Sequence, residues 1–231
     1  MSCKKDKETT PAVPDCLLTK EDNGNDPSVF IYDAKSNIVK VTDDIGFESF
    51  TLEYDSNNHL VKILSYNTIT LKRTIVIEYN SQGFWSKVTT TDTGSSSSKV
   101  TTAEYDSNGN RIKILAPDNT FEFEYAGGNL IKRTRKPNSG STQIYTYEYY
   151  TDKENKLKDF EELLSIGYEG TPSKYLLKTE TYLGTNTNYT YELNAKGFPT
   201  KKSQSSTFDR NKDGKITSAD DNVTTYEYQC K

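Results

Sequence analysis

The sequence predicts an all-β chain, an antiparallel up-and-down meander of about 16 strands built as repeated hairpins. Three observations carry that expectation: side chains alternate in period two, the turn residues Asp, Asn, Ser and Gly recur at intervals, and a tyrosine stands before nearly every turn. Alternation separates Phe50, Leu52 and Tyr54 from Thr51 and Glu53, and Tyr145, Tyr147 and Tyr149 from Thr146 and Glu148. Such spacing assigns one residue set to each face of a strand, so each strand is expected to bury one face and wet the other.

Taken in order, the units are "FIYDAKSNIVKV" from Phe30, "LEYDSNNHLVKI" from Leu52, "IEYNSQGFWSKV" from Ile77, "AEYDSNGNRIKI" from Ala103, "FEYAGGNLIKRT" from Phe123, "YEYYTDKENKLK" from Tyr147, "GYEGTPSKYLLK" from Gly167 and "YELNAKGFPTKK" from Tyr191. Their anchors (Tyr32, Tyr54, Tyr79, Tyr105, Tyr125, Tyr149, Tyr168 and Leu193) fall 19 to 26 residues apart, an internal repeat. The turns use residues that tolerate positive φ or bond their own backbone. Each returning strand brings an apolar pair and a basic residue, as in Leu130, Ile131 and Lys132, and a last strand runs from Val223 to Gln229. One stretch departs: in "ENKLKDFEELLS", Leu157, Phe160 and Leu164 have helical spacing, which predicts a short helix near residues 154–165.

With one apolar face per strand, that face must turn inward in water. A round barrel of about 16 strands leaves a lumen too wide for wall side chains to fill, so a flattened barrel, closed or nearly closed, or a two-layer sheet is expected. The chain divides into a polar tether, residues 1–27, and one repeat-built β domain, residues 28–231.

Composition bounds the function. Leu, Ile, Val and Phe together make up just under a fifth of the 231 residues, but 17 Tyr and 9 Phe supply large rings and the net charge is only -4, so an ordered protein with an aromatic core is expected. No apolar run approaches the ~18 residues of a spanning helix. Basic and acidic residues, 29 against 33, are spread without a basic stripe, so nucleic acid is not an expected partner.

No catalytic constellation stands out. His59 is the single histidine and sits in the turn-like "SNNHL". The recurring Glu53, Glu78, Glu104, Glu124 and Glu148 have the regular placement of cross-strand partners for lysine, so an enzyme is not expected. Trp85, the one tryptophan, follows Phe84 directly, and neighbours on a strand point to opposite faces. If Trp85 is the outer of the two it is available to stack on a ligand such as a sugar; otherwise it is a rim or core residue.

The three cysteines differ in setting. Cys3 stands in "MSCKKDKE" ahead of the polar tether, whereas Cys16 precedes the first predicted strand and Cys230 lies in the last. In an oxidising compartment Cys16 and Cys230 either pair, tying the ends of the fold together, or remain free thiols.

"FDRNKDGKITSAD", Phe208 to Asp220, is a candidate metal site. Counting Asp209 as position 1 places Asn211 at 3, Asp213 at 5, Lys215 at 7 and Asp220 at 12, with Gly214 at the sharp turn. These are the oxygen donors of a calcium loop: three side chains, the Lys215 carbonyl and a bidentate carboxylate, with water near Thr217. The alternative is a polar hairpin turn that binds nothing.

Four resemblances add to this reading. Ser2-Cys3 followed by charge resembles the mature start of a bacterial lipoprotein, which implies acylation of Cys3, an outer-membrane or wider cell-envelope address and contact with the membrane through that anchor alone. The recurring "EYDSNGN" followed by "IKI" resembles the tyrosine-aspartate repeat of bacterial surface and toxin-shell proteins. Tether, size and number of units resemble a family of bacterial lipoproteins of unknown function with a porin-like β fold. Asp220 at position 12 resembles the calcium loop of dockerin modules, although those carry two loops, each leading into a helix. The expectation is a non-catalytic cell-envelope lipoprotein, a binding or structural module with calcium as its ion and a glycan or protein as ligand. The alternative is a carbohydrate-binding or carbohydrate-active surface protein using Trp85 and exposed tyrosines.

Overall fold

In the computed structural model, residues 16–24, 27–43, 46–164, 166, 169–206 and 222–230 are described. They form sixteen antiparallel strands in meander order, and β1 hydrogen-bonds β16 to close the barrel. The strands are β1 (Cys16–Asp22), β2 (Ser28–Tyr32), β3 (Ile38–Asp43), β4 (Glu48–Tyr54), β5 (Leu60–Asn67), β6 (Thr70–Tyr79), β7 (Trp85–Asp92) and β8 (Lys99–Tyr105). They continue with β9 (Arg111–Ala116), β10 (Asn119–Ala126), β11 (Asn129–Pro137), β12 (Gln143–Glu154), β13 (Tyr175–Tyr182), β14 (Thr185–Leu193), β15 (Pro199–Ser206) and β16 (Asn222–Cys230). Between β12 and β13 lies the helix α1 (Lys158–Leu164).

Five repeat units are hairpins whose turn is folded by an acidic or amide residue, Asp33, Asp55, Asn80, Asp106 or Asn194. Asp55 Oδ1 accepts the amides of Asn57 and His59 at 2.9 and 2.8 Å, and Asp106 Oδ1 those of Asn108 and Asn110, both at 2.9 Å. Asp33, Asn80 and Asn194 repeat the pattern. These donors hold the Asp55 carboxyl below its ordinary range, the His59 amide foremost. The fourth residue of such a turn has positive φ, which explains Gly83 and Gly109; Ser36 and Asn58 adopt it with a side chain. At Gly109 a Cβ would also stand 2.7 Å from the Phe84 ring.

A bulge precedes the tyrosine in these hairpins, and it explains the returning strands. Glu53 opposes Lys62 but Tyr54 opposes Leu60, and the same shift occurs at Glu78/Tyr79 and Glu104/Tyr105. The extra residue brings positions three apart onto the inner face: Leu60 with Ile63, Trp85 with Val88 and Arg111 with Ile114. Buried Leu18, Phe30, Leu52, Ile77, Val88, Ile114 and Phe123 line the resulting core.

The outer face is paired charge and threonine. Lys62 meets Glu53 at 3.0 Å, Lys87 meets Glu78 at 2.6 Å, Lys132 meets Glu124 at 2.7 Å and Lys201 meets Glu192 at 3.0 Å. Apolar residues are interspersed on this side, Ile31, Val76, Val100, Ile112, Ile131 and Ile144 all being exposed. A lipid-facing wall presents an apolar band about 25 Å tall, and these strands present charge on that side.

Two expectations change. Cys16–Asp22, which the sequence places in the tether, is β1; it pairs β16 over six positions, and its sulfur at Cys16 is bonded to that of Cys230. The tether signal there was polarity, but an edge exists only until a partner strand arrives from the far end of the chain. The units from Tyr147 and Gly167 are not separate hairpins: β12 runs through Tyr149 to Glu154, the expected return at Leu157 and Lys158 enters α1 instead, Glu169 to Lys174 is irregular, and β12 pairs with β13. The anchor Tyr168 lies outside the described residues, as do Cys3 and the whole of Asp209 to Asp220.

Candidate functional site in the barrel lumen

The connection from Asn155 to Lys174 folds back into the barrel and plugs it. Asn155 starts this segment: its amide donates to the Lys174 carbonyl at 2.9 Å, while its Oδ1 accepts the Leu157 amide at 3.0 Å. α1 then lays Phe160 edge-on against Phe30 of β2, ring centroids 4.8 Å apart, and Phe160, Leu163 and Ile166 pack on the wall core. This burial supplies an apolar centre that a wall of this circumference cannot fill alone.

Polar clamps fix the plug to β9, β10 and β11. Arg111, with 0% exposure, donates from Nη1 to the Glu169 carbonyl at 2.6 Å and from Nη2 to Glu162 Oε1. Its guanidinium lies over the Trp85 ring at 4.6 Å. Arg133 donates to Glu169 Oε1 at 2.5 Å, and the Leu130 amide donates to Ser173 Oγ at 3.0 Å. Gly170 leaves room for the Tyr125 hydroxyl, which accepts the Thr171 amide at 2.6 Å.

The anchor tyrosines form a ring at the same end. Hydroxyls of Tyr32, Tyr54, Tyr79 and Tyr105 donate to the carbonyls of Leu18, Ile38, Leu60 and Trp85 at 2.7 to 2.9 Å. Each thereby ties one hairpin to the preceding one. Tyr149 and Tyr228 do the same to Leu130 and Pro199. Burial pushes the Tyr32, Tyr54, Tyr79 and Tyr125 hydroxyls up to about 12, so they stay protonated donors at neutral pH.

The plug leaves chambers of different chemistry. One of about 340 Å³ is apolar on most sides, lined by Phe30, Val41, Leu52, Ile63, Ile75, Val88, Leu163 and Ile166. A second, of about 430 Å³, lies between the plug and β12 to β16 and is bounded by Tyr149, Tyr189, Tyr191, Tyr226, Glu21, Glu161, Lys202 and Asn155. Glu161 Oε2 accepts Asn155 Nδ2 at 2.7 Å. Water reaches Glu161 inside the chamber, yet desolvation by the surrounding wall holds its carboxyl above the ordinary range, and Lys202 only partly opposes this. Glu21 is raised for the same first reason.

Trp85 is 3% exposed and faces inward. The expectation that either it or Phe84 stands outside fails because Phe84 lies in the turn, stacked on Tyr105 at 4.9 Å, where strand alternation does not apply. Among the described residues, the tyrosines expected as exposed stacking surfaces are at least half-hidden. His59 is also in a turn, stacked on Tyr79 at 4.5 Å with Nδ1 3.3 Å from Asp55. Among the described residues no group of three or more His, Cys, Asp or Glu is placed to hold a metal. Arg111, Glu161 and Lys202 were not singled out from the sequence. Arg111 had a signal, since it stands where other units carry Ile38, Leu60, Trp85 and Leu130. A charge at an inward apolar position needs a partner from elsewhere.

No protein-family model and no curated protein matches the chain. Among solved structures it is similar to a porin-like protein from Bacteroides uniformis, with a TM-score of 0.65, 13% identity, and coverage of 93% of this chain and 95% of that one. The fold is a porin-like barrel. A TcdB2–TccC3–Cdc42 complex aligns over 78% of this chain and 10% of that one, with a TM-score of 0.35 and 10% identity, too low to bear on the argument. At this identity the likeness to the Bacteroides barrel concerns architecture, and activity has to be argued from the lumen itself.

Proposed function

We propose that this chain is a non-catalytic cell-envelope lipoprotein whose plugged barrel is a small-molecule binding module, with the ligand in the tyrosine-lined chamber. The observation that carries the reading is the plugged lumen: a wall with charge outside encloses a chamber of about 430 Å³ bearing converging polar groups, within the size range of small-molecule sites. A pore would need that lumen open. The carbohydrate reading moves with it to the chamber tyrosines, where Tyr149, Tyr189, Tyr191 and Tyr226 converge with charged groups; Trp85, 3% exposed, borders a separate space of about 520 Å³ with Tyr54, Tyr79 and Tyr105.

Thermal shift against a panel of small polar molecules tests the chamber. At least one is expected to raise the melting temperature saturably, with the shift lost in Tyr191→Ala and kept in the outer-wall variant Thr190→Ala. Shifts that ignore Tyr191→Ala, or an entirely silent panel, would sink the reading. The anchor follows from Cys3 and the polar residues behind it. Expressed with a lipoprotein signal peptide, the chain is expected in the membrane fraction and its Cys3→Ser variant in the soluble fraction; equal partition of the two rules out acylation.

The donor set Asp209, Asn211, Asp213, Lys215 and Asp220 fits calcium in number and hardness. Calcium there would neutralise the carboxylates and clip the connection between β15 and β16.

A further inference from the structure

The chamber beside α1 differs from the rest of the ring in the state of its polar groups. The anchor tyrosines Tyr32, Tyr54, Tyr79, Tyr105 and Tyr149, with Tyr228, spend their hydroxyls on wall carbonyls, but among the described residues no group bonds the hydroxyls of Tyr189, Tyr191 or Tyr226. Tyr226 is 7% exposed, its buried ring bordering the chamber. Unpartnered yet not closed off from solvent, these hydroxyls face the water of the chamber, which a guest that bonds them can replace.

Charge decides which partner. Glu21 and Glu161 border the chamber with one cation, Lys202, while Glu169, also at its edge, is paired to Arg133. Lys202 makes no ion pair among the described residues and acts on both carboxylates only at longer range. With both carboxyls ionised, two negative charges face one positive charge in a space walled by the electron-rich faces of tyrosines. A neutral guest would displace water from the carboxylates and return no charge, whereas an ammonium group returns charge, donates to free tyrosine oxygens and gains from the rings.

We infer that the chamber is a site for a small organic ammonium ion, a protonated amine held by Glu161 and Glu21 between the Tyr191 and Tyr226 rings. The inference rests on the reading of the lumen as a ligand site and adds the ligand's chemical class. It assigns binding roles to Glu21, Glu161, Tyr191 and Tyr226, and to Lys202 the role of a competing internal cation.

Calorimetric titration with cyclohexylamine, protonated at pH 7, and with cyclohexanol, its neutral counterpart, tests the inference on the full chain; glucose serves as a polyol control. The amine is expected to bind at least tenfold tighter than the alcohol. Glu161→Gln is expected to remove that preference by tenfold or more, and Lys202→Met to tighten amine binding. Neither variant removes a wall hydrogen bond, and melting curves for both separate a binding effect from misfolding. Equal binding of amine and alcohol, or preference for glucose, overturns the ammonium inference while leaving a ligand-binding lumen. Failure of all three probes in a protein whose panel hits are lost in Tyr191→Ala also overturns the inference alone, whereas failure with a silent panel overturns both readings.

Discussion

Tyr54 illustrates what one side chain contributes to this barrel. Its ring packs against the core, and its hydroxyl donates to the Ile38 carbonyl at 2.9 Å, joining two hairpins. Its sequence neighbour Glu53 makes the ion pair with Lys62 in water, with side chains 52% and 36% exposed. The two bonds are similar in length but not in worth, since a shielded hydrogen bond contributes about 1 kcal/mol and an exposed pair about half that or less. Tyr54→Phe is accordingly expected to lower unfolding free energy by about 1 kcal/mol and Glu53→Gln by less than about 0.5 kcal/mol, measured by urea denaturation. The reverse ranking would show that the outer pairs rather than the tyrosine ring hold the hairpins together. This part of the fold was legible in the residues. Tyr before Asp, Gly three places after that Asp and Lys on the return strand act within one hairpin or on the next, so their spacing is written in the chain.

At the scale of elements, hairpins and plug contrast. A hairpin such as β4 and β5 is stabilised by its own turn and register, and alternation reveals it. The plug is held by partners from three other strands. Leu157 and Phe160 were readable as helix positions, but the side to which the helix docks was not, because its apolar residues serve a lumen that exists only after closure. Arg111 is the residue that joins the two descriptions. Arg111→Leu restores the apolar side chain of the neighbouring units and removes the bonds to Glu162, the Glu169 carbonyl and Tyr105. The expected cost is about 2 kcal/mol, less than for a fully buried pair because Glu162 can turn to water. Trypsin should then cut faster after Lys156 or Lys158 while the far-ultraviolet dichroism keeps its strand character. An unchanged cutting rate and melt would mean that apolar packing alone retains the plug.

The whole molecule depends on its seam. β1 pairs β16 over six positions but β2 over only two, Lys20 with Val29 and Glu21 with Ser28. The Cys16–Cys230 bond spans 214 residues and locks the longer ladder at the tyrosine end. The segment 207–221 leads into β16 at the opposite end, where other connections are as short as residues 68–69 and 117–118. A clip in that segment would restrain the last strand at its entry. Millimolar calcium is expected to raise the melting temperature by a few degrees, reversibly with EDTA, and Asp213→Ala to abolish the effect; a calcium shift that survives Asp213→Ala places the ion elsewhere.

Strand content, hairpin order and the inward direction of the rings were determined by the sequence itself, through interactions among residues a few positions or one hairpin apart. Closure through β1, the docking of residues 155–174 and the inward placement of Trp85 were decided only by the tertiary structure. Each depends on which distant surfaces meet, and that follows from filling a lumen and satisfying Arg111 rather than from any local period. The tyrosine chamber belongs to the second group, since Glu21, Glu161, Lys202 and Tyr226 lie far apart in the chain and share one space only because the barrel closes around its plug.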